Sequence, residues 1–118
     1  MIFHIDTPYL NYLLDIINDI EESLKKVSKD KFLKNKDIRD ANIRRLEIIG
    51  NTIENLSEKI KIKYKDILWN KILDIKKETN KHYFGIDFEI LFEVLEKEIP
   101  ILKEQILKIK EEIKKEVK

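Results

Sequence analysis

Apolar residues recur at intervals of three and four along most of this chain, the spacing of helices that bury one face. Leu10, Leu13, Leu14, Ile17, Ile20 and Leu24 form the first such stripe. It predicts a helix opened by Asp6 or Thr7, whose side chains can cap free amides, with Pro8 at the first helical position, where its missing N–H costs nothing. This helix is expected to end near Val27. Ser28 to Asn35 then reads as a polar connection in which Phe32 and Leu33 tuck back onto the bundle as a short anchor.

A second stripe, Ile38, Ala41, Leu46, Ile49, Ile53, Leu56 and Ile60, predicts a long helix from Lys36 or Asp37 to about Lys63. Gly50 falls in its middle and costs about 1 kcal/mol of helix propensity relative to alanine. Close approach of another helix is the expected compensation. A third helix is predicted over Trp69 to Lys81, with Trp69, Ile72, Leu73 and Ile75 inward. After the break at Gly85, Asp87 can cap a fourth helix carrying Phe88, Leu91, Phe92 and Leu95. Pro100 is expected to kink the chain or restart it as a further helix, with Leu102, Ile106, Ile109, Ile113 and Val117 as its stripe. No strand pattern or internal repeat is visible in the sequence. The expected fold is all-α, an up-and-down bundle of four to five helices with short connections.

With 118 residues, the span 1–118 reads as a single helical domain with room for a core. The chain has no cysteine, which excludes disulfides and thiolate zinc sites, and its two histidines cannot by themselves build a usual structural zinc site. No cofactor and no metal are expected. Charged residues make up 40% of the sequence, but 24 Lys plus Arg nearly cancel 23 Asp plus Glu, so any RNA contact must come from a local patch. Every apolar run is broken by charges well short of the ~20 residues that cross a bilayer. A cytoplasmic protein that does not enter membranes is the expectation. Apolar residues off the main stripes, Ile43 and Ile48 among them, suggest a dimer interface.

Candidate chemistry concentrates between Trp69 and Phe92. This stretch holds the single tryptophan and places His82, Tyr83 and Phe84 in a row beside Lys76, Lys77 and Lys81. Its segment Tyr83-Phe84-Gly85-Ile86-Asp87, preceded by Trp69 and a basic helical run, resembles the HepT-like branch of the HEPN proteins. Arg44-Arg45-Leu46-Glu47-Ile48-Ile49-Gly50 is similar to a second block of that family, Arg-x-Leu-Glu-x-Ile-Gly. In the family a helix ends in Arg-x4-His-x-Tyr. The resemblance implies a HEPN-like bundle that forms a homodimer, with a cleft where the two motif helices meet. It also implies a metal-independent ribonuclease, the toxin of a HepT/MNT toxin–antitoxin pair, silenced when a cognate MNT-type nucleotidyltransferase attaches AMP to the motif tyrosine.

This chain departs from the motif, and two registers are possible. Anchored on Tyr83-Phe84-Gly85, Lys76 stands at the arginine position, Lys81 at the histidine position, and Tyr83 is the AMP acceptor. Anchored on His82, Lys77-x4-His82 keeps the spacing from cation to histidine but sets Tyr83 one residue early. One residue is a rotation of about 100° on a helix. The first register is the longer ungapped match. Lysine lacks the bidentate fork of arginine, and a lysine of ordinary pKa is protonated at neutral pH and cannot act as a base. Weak or absent ribonuclease activity is the expectation, and a catalytically inactive HEPN dimer that binds a minimal nucleotidyltransferase is the alternative.

Each of these residues also has a plain structural reading. His82 suits a helix end beside the carbonyl dipole. The three lysines suit a solvated face. Tyr83 suits a half-buried helix end, and Trp69 and Phe84 suit core and turn anchors. Arg44 and Arg45 could flank a cleft, with Glu47 and Glu54 on the same helix as partners.

Overall fold

The computed structural model describes residues 4–67, 69–81 and 86–116, with residues 78–81 as backbone. A 3₁₀ turn, His4–Asp6, leads into α1 (Thr7–Leu24), followed by α2 (Lys29–Lys34), α3 (Lys36–Glu54), α4 (Glu58–Lys63) and α5 (Trp69–Lys81). Then α6 (Phe88–Glu93) runs through a π turn, Val94–Glu98, directly into α7 (Ile99–Glu116). The described residues contain no strand, so the fold is the all-α bundle that the spacing predicts.

The stripes meet in one apolar cluster. Leu10, Leu13, Ile17 and Ile20 of α1 lie against Leu46, Ile49 and Ile53 of α3 and Leu102, Ile106 and Ile109 of α7, all of them buried. In this arrangement α1 packs between α3 and α7, and α3 packs between α1 and α5. The short α2 closes one end, where the Phe32 ring lies 5.1 Å from that of Phe92 on α6. Phe32 is therefore the anchor expected from the sequence, delivered by a helix of its own rather than by a loop. Ser28 starts that helix, its hydroxyl accepting from the Lys31 amide at 3.1 Å.

Four expectations need correction. First, α1 ends at Leu24, because Lys26 takes a left-handed conformation with φ 64° and the Val27 amide turns back onto the Leu24 carbonyl. Second, the long helix over residues 36–63 is two helices. Asn55 and Leu56 leave the helical path, and Ser57 begins α4 by accepting from the Ile60 amide. Leu56 and Ile60 stay buried across the break, so the spacing survives while the helix does not.

Third, the Asp6 carboxylate does not cap α1 but reaches Ser57, accepting from its amide at 2.8 Å and its hydroxyl at 2.7 Å. This buried carboxylate ties the start of α1 to the start of α4. Fourth, the chain does not leave the helical path before Pro100: residues 88–116 run continuously through α6, the π turn and α7, with Pro100 in the first turn of α7. Proline has no N–H, and its ring crowds the carbonyl four residues earlier. The preceding turn widens to a π turn, in which the Ile99 amide reaches back five residues to the Val94 carbonyl.

Other expectations are met. The bounds of α5 are those predicted, and Asp87 caps α6 by accepting from the Glu89 and Ile90 amides. Ile43, read from sequence as surplus for a dimer, is buried in the core of this one chain. Val117 lies outside the described residues. Among those described, no helix is long and apolar enough to cross a membrane.

Candidate functional site

The site that the sequence points to is carried by α5, and α5 is held at both its start and its middle. At the start, the Trp69 side chain is buried and its indole N–H donates to the Tyr64 carbonyl at 3.1 Å. The Tyr64 hydroxyl donates in turn to Glu112 of α7, and Lys63 pairs with Glu116 at 3.3 Å. Burial, with the Glu112 carboxylate beside it, raises the Tyr64 phenol above the usual tyrosine range. The turn before α5 is thus fastened to the far end of the chain.

In the middle, α5 crosses α3 at Gly50. A Cβ at that position would lie 2.8 Å from Cδ, 2.9 Å from Cβ and 3.1 Å from Cγ of Lys76. The glycine is therefore the gap into which the stem of Lys76 fits, which is the close approach expected from its place in mid-helix. Beyond Gly50 the stem runs one turn further along α3, and its ammonium pairs with Glu54. Lys76 keeps only 17% of its side chain exposed, whereas Glu54 keeps 53%. Hydrogen bonding to Lys76 and its charge hold the Glu54 carboxyl below the usual glutamate range, with smaller contributions from Lys61 and Lys77 against a desolvation cost.

Of the expected site residues, Lys76 thus faces α3, and Lys77, next along the helix, is exposed. Lys81 is the last residue of α5. His82 and Tyr83, with Phe84 and Gly85, lie outside the described residues. Glu54 was expected to pair along its own helix with Arg44 or Arg45. It pairs across helices with Lys76 instead, while Arg44 sits 4.0 Å from Glu47 and Arg45 donates to Asn42 at 3.3 Å. Sequence reasoning missed Lys61 of α4, which lies 3.9 Å from Glu58 on its own helix and adds a small pull on Glu54; the Ser57 cap, which starts α4, was the signal for that separate helix. Among the described residues, no group of three or more His, Cys, Asp or Glu side chains could hold a metal ion.

Comparison with known proteins bears on this helix pair as a unit. The family model described as "Ribonuclease HepT-like" matches residues 13–109, which include α3, α4 and α5. A Methanocaldococcus jannaschii protein named "Gamma-glutamylcyclotransferase and putative RNase" is 44% identical over 91% of this chain, which spans only 48% of that protein. A "Putative RNase" of Caldanaerobacter subterraneus subsp. tengcongensis is 33% identical over 86% of the chain and 91% of its own length. A "Probable ribonuclease HepT" of Thermococcus cleftensis is 30% identical over 86% and 93%. No solved structure matches the chain.

Proposed function

This chain belongs to the ribonuclease HepT-like family, and from that premise we propose that it is the HepT-like component of a HepT/MNT toxin–antitoxin pair. In this reading it is a metal-independent ribonuclease acting as a homodimer, and its cognate nucleotidyltransferase neutralises it by attaching AMP to Tyr83. The observation that carries the reading is the clamp on α5. Gly50 and Glu54 fix the rotation of the helix, so Lys76 and Lys77 are presented at a set place one to two turns before residues 81–83.

The chemistry asked of these residues is modest. A ribose 2′-hydroxyl loses its proton and attacks the adjacent phosphorus, the new O–P bond forms, and the bond to the 5′-oxygen breaks as that oxygen gains a proton. A cation at Lys76 or Lys77 offsets the charge that builds on the phosphate, and His82, or Lys81 in the other register, stands where the proton moves. A histidine near its ordinary pKa can do this without a metal. AMP on Tyr83 would bring bulk and negative charge to the same helix end and repel RNA.

One observation favours a second reading, a catalytically inactive HEPN dimer that serves as the binding partner of a minimal nucleotidyltransferase. The cation at the motif's arginine position is a lysine whose amine is paired with Glu54, so no bidentate grip on a phosphate is available from it. One comparison separates the two. The protein is expressed alone and with an MNT-type nucleotidyltransferase, then weighed by mass spectrometry and assayed for RNA cleavage. Whole AMP units gained with the partner and lost in Tyr83→Phe, with cleavage by the unmodified protein that fails in His82→Ala, support the first reading. A stable complex with neither AMP nor cleavage supports the second.

A further inference from the structure

A dense run of positive charge lies outside the candidate site. Residues 25–36 hold six lysines, Lys25, Lys26, Lys29, Lys31, Lys34 and Lys36, against one acid, Asp30, in a chain whose net charge is only +1. The fold gathers them at one end of the bundle: Lys25 and Lys26 turn the chain after α1, Lys29, Lys31 and Lys34 lie on α2, and Lys36 opens α3. Six helical residues rise about 9 Å, so the lysines share a small area. Phe32 takes the inward face of α2, and all six lysines are exposed. Lys34 is 3.2 Å from Asp30, and Lys29 is 3.6 Å from Glu89. Lys25, Lys26, Lys31 and Lys36 form no ion pair among the described residues. This is the kind of local patch that a polyanion in solution can find.

Local stability does not account for all of these lysines. A cation is favoured after α1, at the carbonyl end of the helix, but Lys29 and Lys36 open α2 and α3, at ends where an acid is preferred. Lys26 takes a left-handed backbone, φ 64°, at the place where a helix commonly stops on glycine because a Cβ is unfavourable there. The patch also adjoins the chain that leaves the motif helix. Through the Lys29–Glu89 pair and the Arg39 guanidinium, 4.4 Å from the centre of the Phe88 ring, the corner of α2 and α3 holds the start of α6. Phe88 follows His82 by six residues, so chain length alone keeps the two within about 22 Å. We propose that Lys25, Lys26, Lys31 and Lys36, with Lys29 and Lys34 beside them, form a landing surface for the phosphate backbone of an RNA strand, which continues from there to the candidate site. RNA as the ligand rests on the ribonuclease reading above; the surface itself rests on the fold. None of residues 25–36 exposes a large apolar side chain, so nothing here is built to enter a lipid surface. Contacts of this kind hold a backbone in place without reading its sequence.

Two triple variants of equal net charge test the surface in the full chain. One combines Lys26→Gly, Lys31→Gln and Lys36→Gln; the other combines Lys108→Gln, Lys114→Gln and Lys115→Gln, exposed lysines of α7. Circular dichroism melts follow folding, and Lys26→Gly by itself should melt no lower than the parent, since glycine suits the left-handed position. Binding of a fluorescein-labelled 2′-O-methyl RNA, which has no hydroxyl to attack, is measured by anisotropy between 50 and 200 mM salt. Each phosphate contact on a single strand contributes about −0.7 to the slope of log affinity against log salt. Loss of three contacts flattens the slope by about 2.1, so the parent should lose roughly 18-fold more affinity across that range than the first variant does. The α7 variant should follow the parent. With unmodified RNA, the first variant should raise KM rather than lower kcat. Equal slopes in the two variants would overturn the surface and leave the ribonuclease reading standing. RNA bound with the expected slopes but never cut would keep the surface and remove the ribonuclease reading. If the parent binds no RNA, the proposal falls; vesicles containing phosphatidylserine that bind the parent and not the first variant would then assign the patch to a lipid surface.

Discussion

Gly50→Ala tests the packing on which the site depends. In an exposed helix this change gains about 1 kcal/mol, since alanine is the better helix former. Here the new methyl would stand 2.9 Å from Cβ of Lys76, and carbon atoms in contact prefer about 3.5 to 4.0 Å. Cβ is fixed to the α5 backbone and cannot rotate away. The helix itself must yield by roughly 0.6 Å, the shortfall from that contact distance. Overpacking of this kind costs about 1 to 3 kcal/mol. Set against the propensity gain, a net loss of about 1 kcal/mol is expected, or about 4 °C in the melting temperature of a domain of this size.

The matching experiment is a double-mutant cycle with Lys76→Ala, followed by chemical denaturation. That change removes the Cγ and Cδ overlaps and leaves only the one at Cβ. Gly50→Ala should therefore be milder in the Lys76→Ala background, with a coupling of at least about 0.5 kcal/mol. A Gly50→Ala protein that is more stable than the parent, by the same margin whether or not Lys76 is present, would refute the clamp.

Asp6→Ala should destabilise the fold by about 2 to 3 kcal/mol, because it strips the Ser57 amide and hydroxyl of a charged acceptor in a buried place; urea denaturation measures it, and a loss below about 0.5 kcal/mol would show the link to be idle. Tyr64 favours its neutral form in the fold, so its contribution is complete below the ordinary tyrosine pKa of about 10 and is lost as pH rises toward the raised folded value. Alkaline absorbance titration should show a late-ionising component that disappears in Tyr64→Phe. Glu54, with its pKa lowered, contributes stability above its unfolded value of 4.5, lost as pH falls through the folded one. Melts of the parent and Glu54→Gln should differ at neutral pH and converge in acid; a gap that persists after full protonation would count against the ion pair.

Much of this architecture was legible because it rests on spacing. The stripe of α1, the bounds of α5 and the Asp87 cap are local patterns, and the fold keeps them. Gly50 was legible for a different reason: a glycine in mid-helix is unfavourable unless something lies close above it, and Lys76 does. The break at Asn55 to Ser57 stayed hidden because Ile53, Leu56 and Ile60 hold helical intervals across it and neither glycine nor proline marks it. Asp6 was read as a cap because its true partner lies 51 positions away. Asn42, a fully buried amide that the spacing does not single out, likewise has its partner on another helix, donating to Ser23 of α1 at 3.0 Å. In the site, the lysines were visible as a group, but which of them faces α3 is decided by the rotation of α5, and that is set by Gly50 and Trp69.

The π turn before Pro100 does more than make room for a proline ring. Leu91, Leu95 and Ile99 are all buried at steps of four, whereas Leu102, Ile106, Ile109 and Ile113 alternate between four and three. In an undisturbed α-helix two steps of four advance the direction of a side chain by about 80°, which would carry Leu91 well off the line of Ile99. The wide turn winds that advance back. One continuous helical path can then present α6 to α2 and α7 to α1. Removing a single residue between 94 and 98 would restore the regular phase of the path and turn one of its two apolar faces out into water.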